Sequence, residues 1–341
     1  MAALSLPSGR ILFRHRFLSE TIEVLCESGQ VVDLWIRDDS DPLTWQAGAI
    51  IEARYAGRNV GAAQDFADLD TGETVVVSGL KDPRPNVGER LNLIVKSPPR
   101  GDKRAVMRLA SEAHSIPILE DGPEIVSGPE ADVIAQDALD WALATQYPLA
   151  GGGVLSIEPT RALVAVDVDG GSDAGIGADF RRRMRRINTS ALVETARLLR
   201  LKGLGGLVVI DLVGVRHDAD AVREQARQAF AVYGPEAQIG PLSRFGLLEL
   251  SLPWTRRPLH ERFVAANGDP TPRADVLRLA REAVHLRRSD PGLGLRLRLG
   301  RAAGAVAEEL FQTYAQDLGP MIRFEVDPKV GPGQGSVVGL R

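Results

Sequence analysis

Short apolar runs and stretches of helical periodicity alternate along this chain, and their order predicts its architecture. Ile11 to Phe17, Thr21 to Leu25 and Val31 to Ile36 read as strands, the last two joined across Glu27 to Gln30. Asp38 to Pro42 is a cluster of turn formers and marks a boundary. From Ala47 to Arg108, β-like runs at Ala49–Tyr55, Thr74–Val77, Arg90–Val95 and Ala105–Leu109 alternate with turns, the pattern of a small barrel. His114 to Gly128 is rich in Pro, Gly and acids and reads as an irregular connection. Pro129 to Ala144 follows as a helix, with Val133, Ile134, Ala138, Trp141 and Ala142 on one face.

The stretch from Leu155 to Gly214 organises the rest. Ala162 to Val166 and Leu207 to Ile210 are continuous apolar runs bounded by Gly and Asp, the pattern of strands buried on both faces. Between them Phe180, Met184, Ile187, Ala191, Ala196 and Leu199 recur at helical spacing, and Gly203 supplies the stop. Strand, crossover helix and strand make a βαβ unit with parallel strands, which puts Asp167 and Asp211 just beyond the two carboxyl ends. In open α/β sheets that rim is where ligands bind. Downstream come a helix from Asp218 to Val232, a strand from Gly246 to Leu252 and a proline-containing linker from Pro253 to Arg273. Ala274–Arg288, Leu293–Leu299, Arg301–Gln316 and Met321–Val326 then read as an αβαβ unit.

Composition narrows the class. With 341 residues, 44% apolar and 5% aromatic, the chain can build two or three soluble α/β units. No apolar run is long enough for a bilayer, and Met1 to Gly9 lacks the apolar centre of a secretory signal. The lone Cys26 excludes an internal disulfide and a cysteine-rich zinc site, and argues for a reducing compartment. A net charge of −4 gives no global pull toward nucleic acid, so binding a polyanion needs local basic patches.

Two carboxylates at one sheet rim invite a hard cation such as Mg²⁺, which stabilises charge on phosphate oxygens and activates water. Either Asp alone would pass for a turn residue. Three blocks then carry a specific resemblance: Ala165-Val-Asp-Val-Asp-Gly-Gly171, Leu198-Leu-Arg-Leu-Lys-Gly-Leu-Gly-Gly-Leu-Val-Val-Ile-Asp211 and Ser243-Arg-Phe-Gly-Leu-Leu-Glu-Leu-Ser251. Together they resemble the catalytic core of the ribonuclease E/G family. The resemblance implies an α/β multidomain fold: an RNase H-like subdomain with an inserted OB-type β-barrel, a DNase I-like catalytic α/β subdomain and a small αβαβ C-terminal domain. It divides the chain into RNase H-like strands (1–40), the RNA-binding barrel (41–112), the remainder of the first subdomain (113–154), the catalytic subdomain (155–255), a linker (256–272) and the C-terminal domain (273–341).

The same resemblance implies site residues. Asp167 and Asp211 match the family's metal-holding aspartates, with Mg²⁺, or Mn²⁺ in its place, as the expected cofactor and no zinc. Asp169 stands where the family has Asn. An ionised Asp cannot donate a hydrogen bond, so it serves as a third ligand, repels the phosphate, or is a plain turn residue before Gly170. Phe66 matches an aromatic RNA contact of the barrel and Lys103 a basic one; on sequence, a core place for Phe66 weighs as much as a stacking place. Among Arg181, Arg182, Arg183, Arg185 and Arg186 a solvated helix face is the bland alternative, and Arg182, Arg183 and Arg186 are expected to follow the RNA backbone. Asn188 survives from a family motif and is expected at the RNA as well. The Gly170–Gly177 stretch fits neither a P-loop nor Gly-x-Gly-x-x-Gly. His217 could shuttle a proton, but a surface histidine at a helix start is the plainer reading.

The implied activity is endoribonucleolytic cleavage of single-stranded RNA in rRNA or mRNA processing or decay, by metal-assisted hydrolysis leaving 5′-phosphate and 3′-hydroxyl ends. The alternative is a noncatalytic RNA-binding relative. Too few residues separate Leu109 from Pro129 for the family's 5′-end sensor, so that domain is expected to be missing. A cytoplasmic location and a homodimer through the C-terminal domain, independent of zinc, complete the expectations.

Overall fold

The structure, a computed structural model, describes all residues except 1–5, 7, 40, 42–44, 46–47, 111–121, 172–177, 215–216, 266 and 341. Strands β1 (Ile11–Phe17), β2 (Glu20–Glu27) and β3 (Gln30–Asp38) form an antiparallel meander. Strands β4 (Ile50–Asn59), β5 (Gln64–Leu69), β6 (Thr74–Ser78), β7 (Arg90–Ser97) and β8 (Val106–Leu109) close into a barrel in the order β4-β5-β6-β8-β7. β5 was not legible as a strand, since polar residues occupy half of it. Within the stretch read as irregular, β9 (Glu124–Val126) pairs parallel to β1 and completes a four-stranded sheet. The rest of that call, 111–121, lies outside the described residues.

Helix α1 (Pro129–Leu143) starts with Pro in its first turn, where no N–H is required. It leads into β10 (Gln146–Pro148), β11 (Val154–Pro159) and β12 (Val164–Asp169). Helix α2 (Ala178–Lys202), β13 (Gly206–Asp211), α3 (Ala219–Ala229), β14 (Gln238–Leu242) and β15 (Leu247–Leu252) finish a six-stranded sheet ordered β10-β11-β12-β13-β15-β14. The expected βαβ unit is there, with β12 and β13 parallel. The expected linker holds a helical turn, α4 (His260–Phe263), and ends early, because Thr271 caps α5 (Pro272–Ser289) by accepting from Ala274 N. The C-terminal unit adds β16 (Leu295–Leu299), α6 (Arg301–Thr313), α7 (Ala315–Leu318), β17 (Ile322–Val326) and β18 (Ser336–Gly339). β18 makes its sheet three-stranded, one strand beyond the expected αβαβ. No described helix is long and apolar enough to cross a membrane.

The barrel and the C-terminal unit each bury a core of their own. The four-stranded and six-stranded sheets instead share one, running from Phe13 and Leu34 through Ile134 and Leu139 to Ile187, Val208 and Leu250. A buried charge sits at this seam. Asp33, only 2% exposed, accepts from Arg200 at 2.6 Å and from Arg256 at 2.6 Å, and takes the Leu34 N–H at 2.9 Å. One carboxylate thereby fastens β3 to α2 and to the segment after β15. Gly205 and Gly206 allow that segment to approach: a Cβ on Gly205 would stand 2.6 Å from the Pro253 carbonyl oxygen, and one on Gly206 2.8 Å from the Trp254 ring nitrogen.

The C-terminal unit docks on the first sheet. Leu18 enters its core, Arg273 pairs with Asp38 at 2.7 Å and Arg281 with Glu20. Val276, Leu277, Leu279, Ala280 and Leu310 are buried in that core, and Val284, Phe311 and Tyr314 pack against it. These apolar residues cover the unit's own sheet.

Candidate active site

The six-stranded sheet is covered on one face only. Val164, Val166, Val168, Val208, Ile210 and Leu248 point into the shared core against Met184, Ile187 and Ala191 of α2. The other face lies open, so the expectation of strands buried on both faces is corrected: helix packing is confined to one side. Alternation then sends every second residue of β12 and β13 to solvent. Asp167, Asp169 and Asp211 are exposed there, as are Glu158 and Glu249.

Register brings the pair together. Asp167 is the partner of Asp211 across the parallel β12–β13 ladder, with Ser156 on one side and Leu247 on the other in the same row. The two carboxylates therefore sit within their strands, on the open face near the carboxyl ends, rather than in the loops beyond. Adjacent strands run about 4.8 Å apart, which holds the two side chains as neighbours. The Val168 N–H reaches the Asp167 carboxyl, and among the described residues no Lys, Arg or His forms an ion pair with either aspartate. Partial burial pushes the Asp167 carboxyl above the usual carboxylate range, and the charges of Asp211, Asp169 and Glu158 add to the rise. Such an uncompensated acidic pair is costly to the fold and is the arrangement a cation relieves.

Asp169 behaves otherwise. Its Oδ1 accepts the Gly171 N–H at 2.8 Å, the hydrogen bond of an Asx turn. No cluster of three or more His, Cys, Asp or Glu side chains suited to a metal occurs among the described residues. The structure thus brings Asp167 and Asp211 together and gives Asp169 the turn role. Mg²⁺ fits such a pair, since it takes one or two carboxylates and keeps several waters.

Asn188 is corrected as an RNA contact. It is 5% exposed, its Nδ2 donates to the Val213 carbonyl at 3.0 Å, and its Oδ1 accepts the Val213 N–H at 3.1 Å. The amide ties α2 to the loop leaving Asp211. Consecutive residues on a helix point about 100° apart, so the arginine run spreads around α2. Arg182 is exposed. Arg183 reaches the turn before β11, its Nη2 lying 3.1 Å from where a Cβ on Gly152 would stand. Arg186 lines a separate cavity of about 670 Å³ with Trp141, Leu149 and Arg197. His217 places Nε2 3.1 Å from the Gly214 carbonyl oxygen, at the foot of α3.

On the barrel, alternation along β5 turns Asp65, Ala67 and Leu69 inward and leaves Phe66 half-exposed on the outside. The Arg104 guanidinium lies 5.7 Å from its ring centroid, and the exposed Lys103 is the next residue. That places Phe66 outside the core, where a ring with a cation over it can receive a base. Arg104 was missed from the sequence; its position beside Lys103 was the available signal. Cys26 lies buried in β2, and burial pushes its thiol up to about 11.

Residues 130–254 match a family model described as the Ribonuclease E/G family. Over 119 residues, 34% of this chain, the sequence is 38% identical to Ribonuclease E of Escherichia coli (strain K12), covering 11% of that protein. It is 31% identical over 119 residues, again 34% of the chain, to a chloroplastic Ribonuclease E/G-like protein of Arabidopsis thaliana, covering 12% of it. It is 34% identical over 137 residues, 40% of the chain, to Ribonuclease E of Nostoc sp., covering 19%. The matched stretch spans only a minor part of each relative.

Proposed function

We propose that the protein, whose residues 130–254 match the ribonuclease E/G family model, is a Mg²⁺-dependent endoribonuclease of single-stranded RNA. The observation that carries the proposal is the register pairing of the exposed Asp167 and Asp211 on an open sheet face. In this reading the four-stranded sheet and α1 are the RNase H-like part, the barrel is an OB-type module, and the six-stranded sheet is the DNase I-like catalytic part. A reducing, cytoplasmic setting agrees with the single buried thiol.

Asp167 and Asp211 would hold the Mg²⁺, or Mn²⁺ in its place. Bound there, the ion would supply Lewis-acid charge to the scissile phosphate and acidify water. The chain's own residues do the rest. Asn188 holds the loop behind Asp211 in place. Arg182 and Arg183 take backbone phosphates, while Phe66 with Arg104 and Lys103 receives an unpaired base on the barrel. Cleavage then leaves 5′-phosphate and 3′-hydroxyl ends.

Incubating the full chain with a single-stranded RNA oligonucleotide, with and without Mg²⁺, tests this. Metal-dependent internal cleavage with those ends is expected. Intact RNA in both Mg²⁺ and Mn²⁺ would sink the catalytic reading. A second reading, a binder without turnover, is favoured by Asp169: it spends its carboxylate on Gly171 and offers the phosphate no amide donor. Tight RNA binding without cleavage is its signature. A homodimer stays within the proposal, through surfaces other than the apolar residues already spent on the C-terminal core.

A further inference from the structure

The turn between β14 and β15 carries a phenylalanine that the fold does not use. Phe245 is 74% exposed, and no other large hydrophobic between residues 238 and 252 is exposed with it. A single ring is too small for a protein interface, which buries a contiguous patch. Its place is specific. Leu247 is the register partner of Asp211, and β15 runs antiparallel to β13, so the turn rises from the strand beside the carboxylate pair at the same end of the sheet.

The turn is also held rigid. Ser243 Oγ accepts the N–H groups of Phe245 at 3.2 Å and Leu247 at 3.1 Å. The Ser243 N–H donates to the Leu247 carbonyl at 2.8 Å, and Gly246 N–H to the Ser243 carbonyl at 3.0 Å. Gly246 closes the turn at a φ of +86°, which a side chain would rarely adopt. The His217 ring stands behind it, with Cδ2 3.8 Å from where a Cβ on Gly246 would lie. Above the exposed ring the Arg244 guanidinium sits 4.6 Å from the centroid, and among the described residues it makes no ion pair. Ring and cation repeat the pairing of Phe66 with Arg104 on the barrel.

We propose that Ser243 to Gly246 form a base-stacking subsite beside the scissile position: the Phe245 ring takes the face of one unpaired RNA base and Arg244 the adjoining phosphate. The inference rests on the ribonuclease reading of the sheet. Stacking tolerates any base, because each has a π-face, and it excludes duplex, whose bases already stack on each other. The subsite accordingly selects for unpaired RNA at the cut rather than for a sequence.

The test compares wild-type, Phe245→Leu and Phe245→Trp full-length protein on a fluorescent single-stranded RNA. Affinity is read by anisotropy in EDTA, and KM and kcat in Mg²⁺. Phe245→Leu is expected to weaken binding and raise KM about tenfold with kcat changed less than about twofold, and Trp to restore both. An abasic site moved along the RNA should cost the wild type that same factor at one position and cost the Leu variant nothing there. Equal affinities of wild type and Leu variant, or failure of Trp to rescue a folded protein, overturn the subsite. So does a change of mass in light scattering for the Leu variant, which makes the ring a protein contact. Absence of cleavage by the wild type counts against the ribonuclease reading alone, since the anisotropy comparison still decides the subsite.

Discussion

Asp33 and Asp167 are both strand carboxylates, and the protein treats them in opposite ways. Asp33 is sealed between two guanidiniums with a backbone N–H as third donor. Asp167 stands on an open face among other acids, with its carboxyl pushed up by partial burial and by like charge. A buried acid that is fully paired is architecture. An exposed pair of acids, held in register and without an ion-pair partner among the described residues, is the kind of charge that the proposed cation would balance. The contrast separates structural charge from functional charge without any appeal to sequence likeness.

The comparison breaks first at activity. Asp211→Asn or Asp167→Asn should lower RNA cleavage at least about a thousandfold, roughly 4 kcal/mol in the barrier, while the far-ultraviolet circular dichroism stays that of the wild type. Near-normal turnover in either variant would take these residues out of the catalytic role. Asp33→Asn should do the reverse. Two guanidiniums lose their charge partner in a buried seam, and urea unfolding should show a loss of about 3–5 kcal/mol. A loss under about 1 kcal/mol would mean that solvent reaches the seam.

The smallest effect sharpens the contrast by pH. A carboxyl whose folded pKa is raised binds its proton more readily folded than unfolded. Its contribution to stability is present below the unfolded pKa and is lost as pH rises through the folded one. Asp167→Asn removes that loss. The variant should match the wild type near pH 3 and equal or slightly exceed it at pH 7, by no more than about 0.5 kcal/mol. Adding Mg²⁺ at pH 7 should stabilise the wild type and leave the variant unmoved. A wild type more stable than the variant at pH 7 in EDTA would show that Asp167 has a partner after all.

Much of this was legible in the sequence, and the rest was hidden for identifiable reasons. The parallel strands around α2 announce themselves through apolar runs and the Gly203 stop, and the paired aspartates come with them. The strands β9, β14 and β18 carry no buried residue to show a period, and only pairing defines them. The place of Asn188 was hidden because its partner is the backbone of Val213, which no side-chain pattern reveals, while the turn role left open for Asp169 has its partner in the Gly171 N–H. Asp33 did leave a trace: a charge in the middle of the apolar run from Val31 to Ile36 needs a partner inside the protein. The open face of the larger sheet was hard to see, since an apolar run such as Ala162 to Val166 looks the same whether one face or two are covered.

The division of cores has a consequence for how such a protein can be rebuilt. The barrel, closed around its own apolar interior, can be exchanged and leave the remainder packed, whereas the C-terminal unit takes Leu18 into its core and pairs Arg273 with Asp38. The first sheet and the catalytic sheet are not separable in that way. Their side chains interdigitate in one interior, and Asp33 rivets it at the edge. An engineer can therefore vary the barrel, while the meander of β1 to β3 travels with Asp167 and Asp211 as a single packed part.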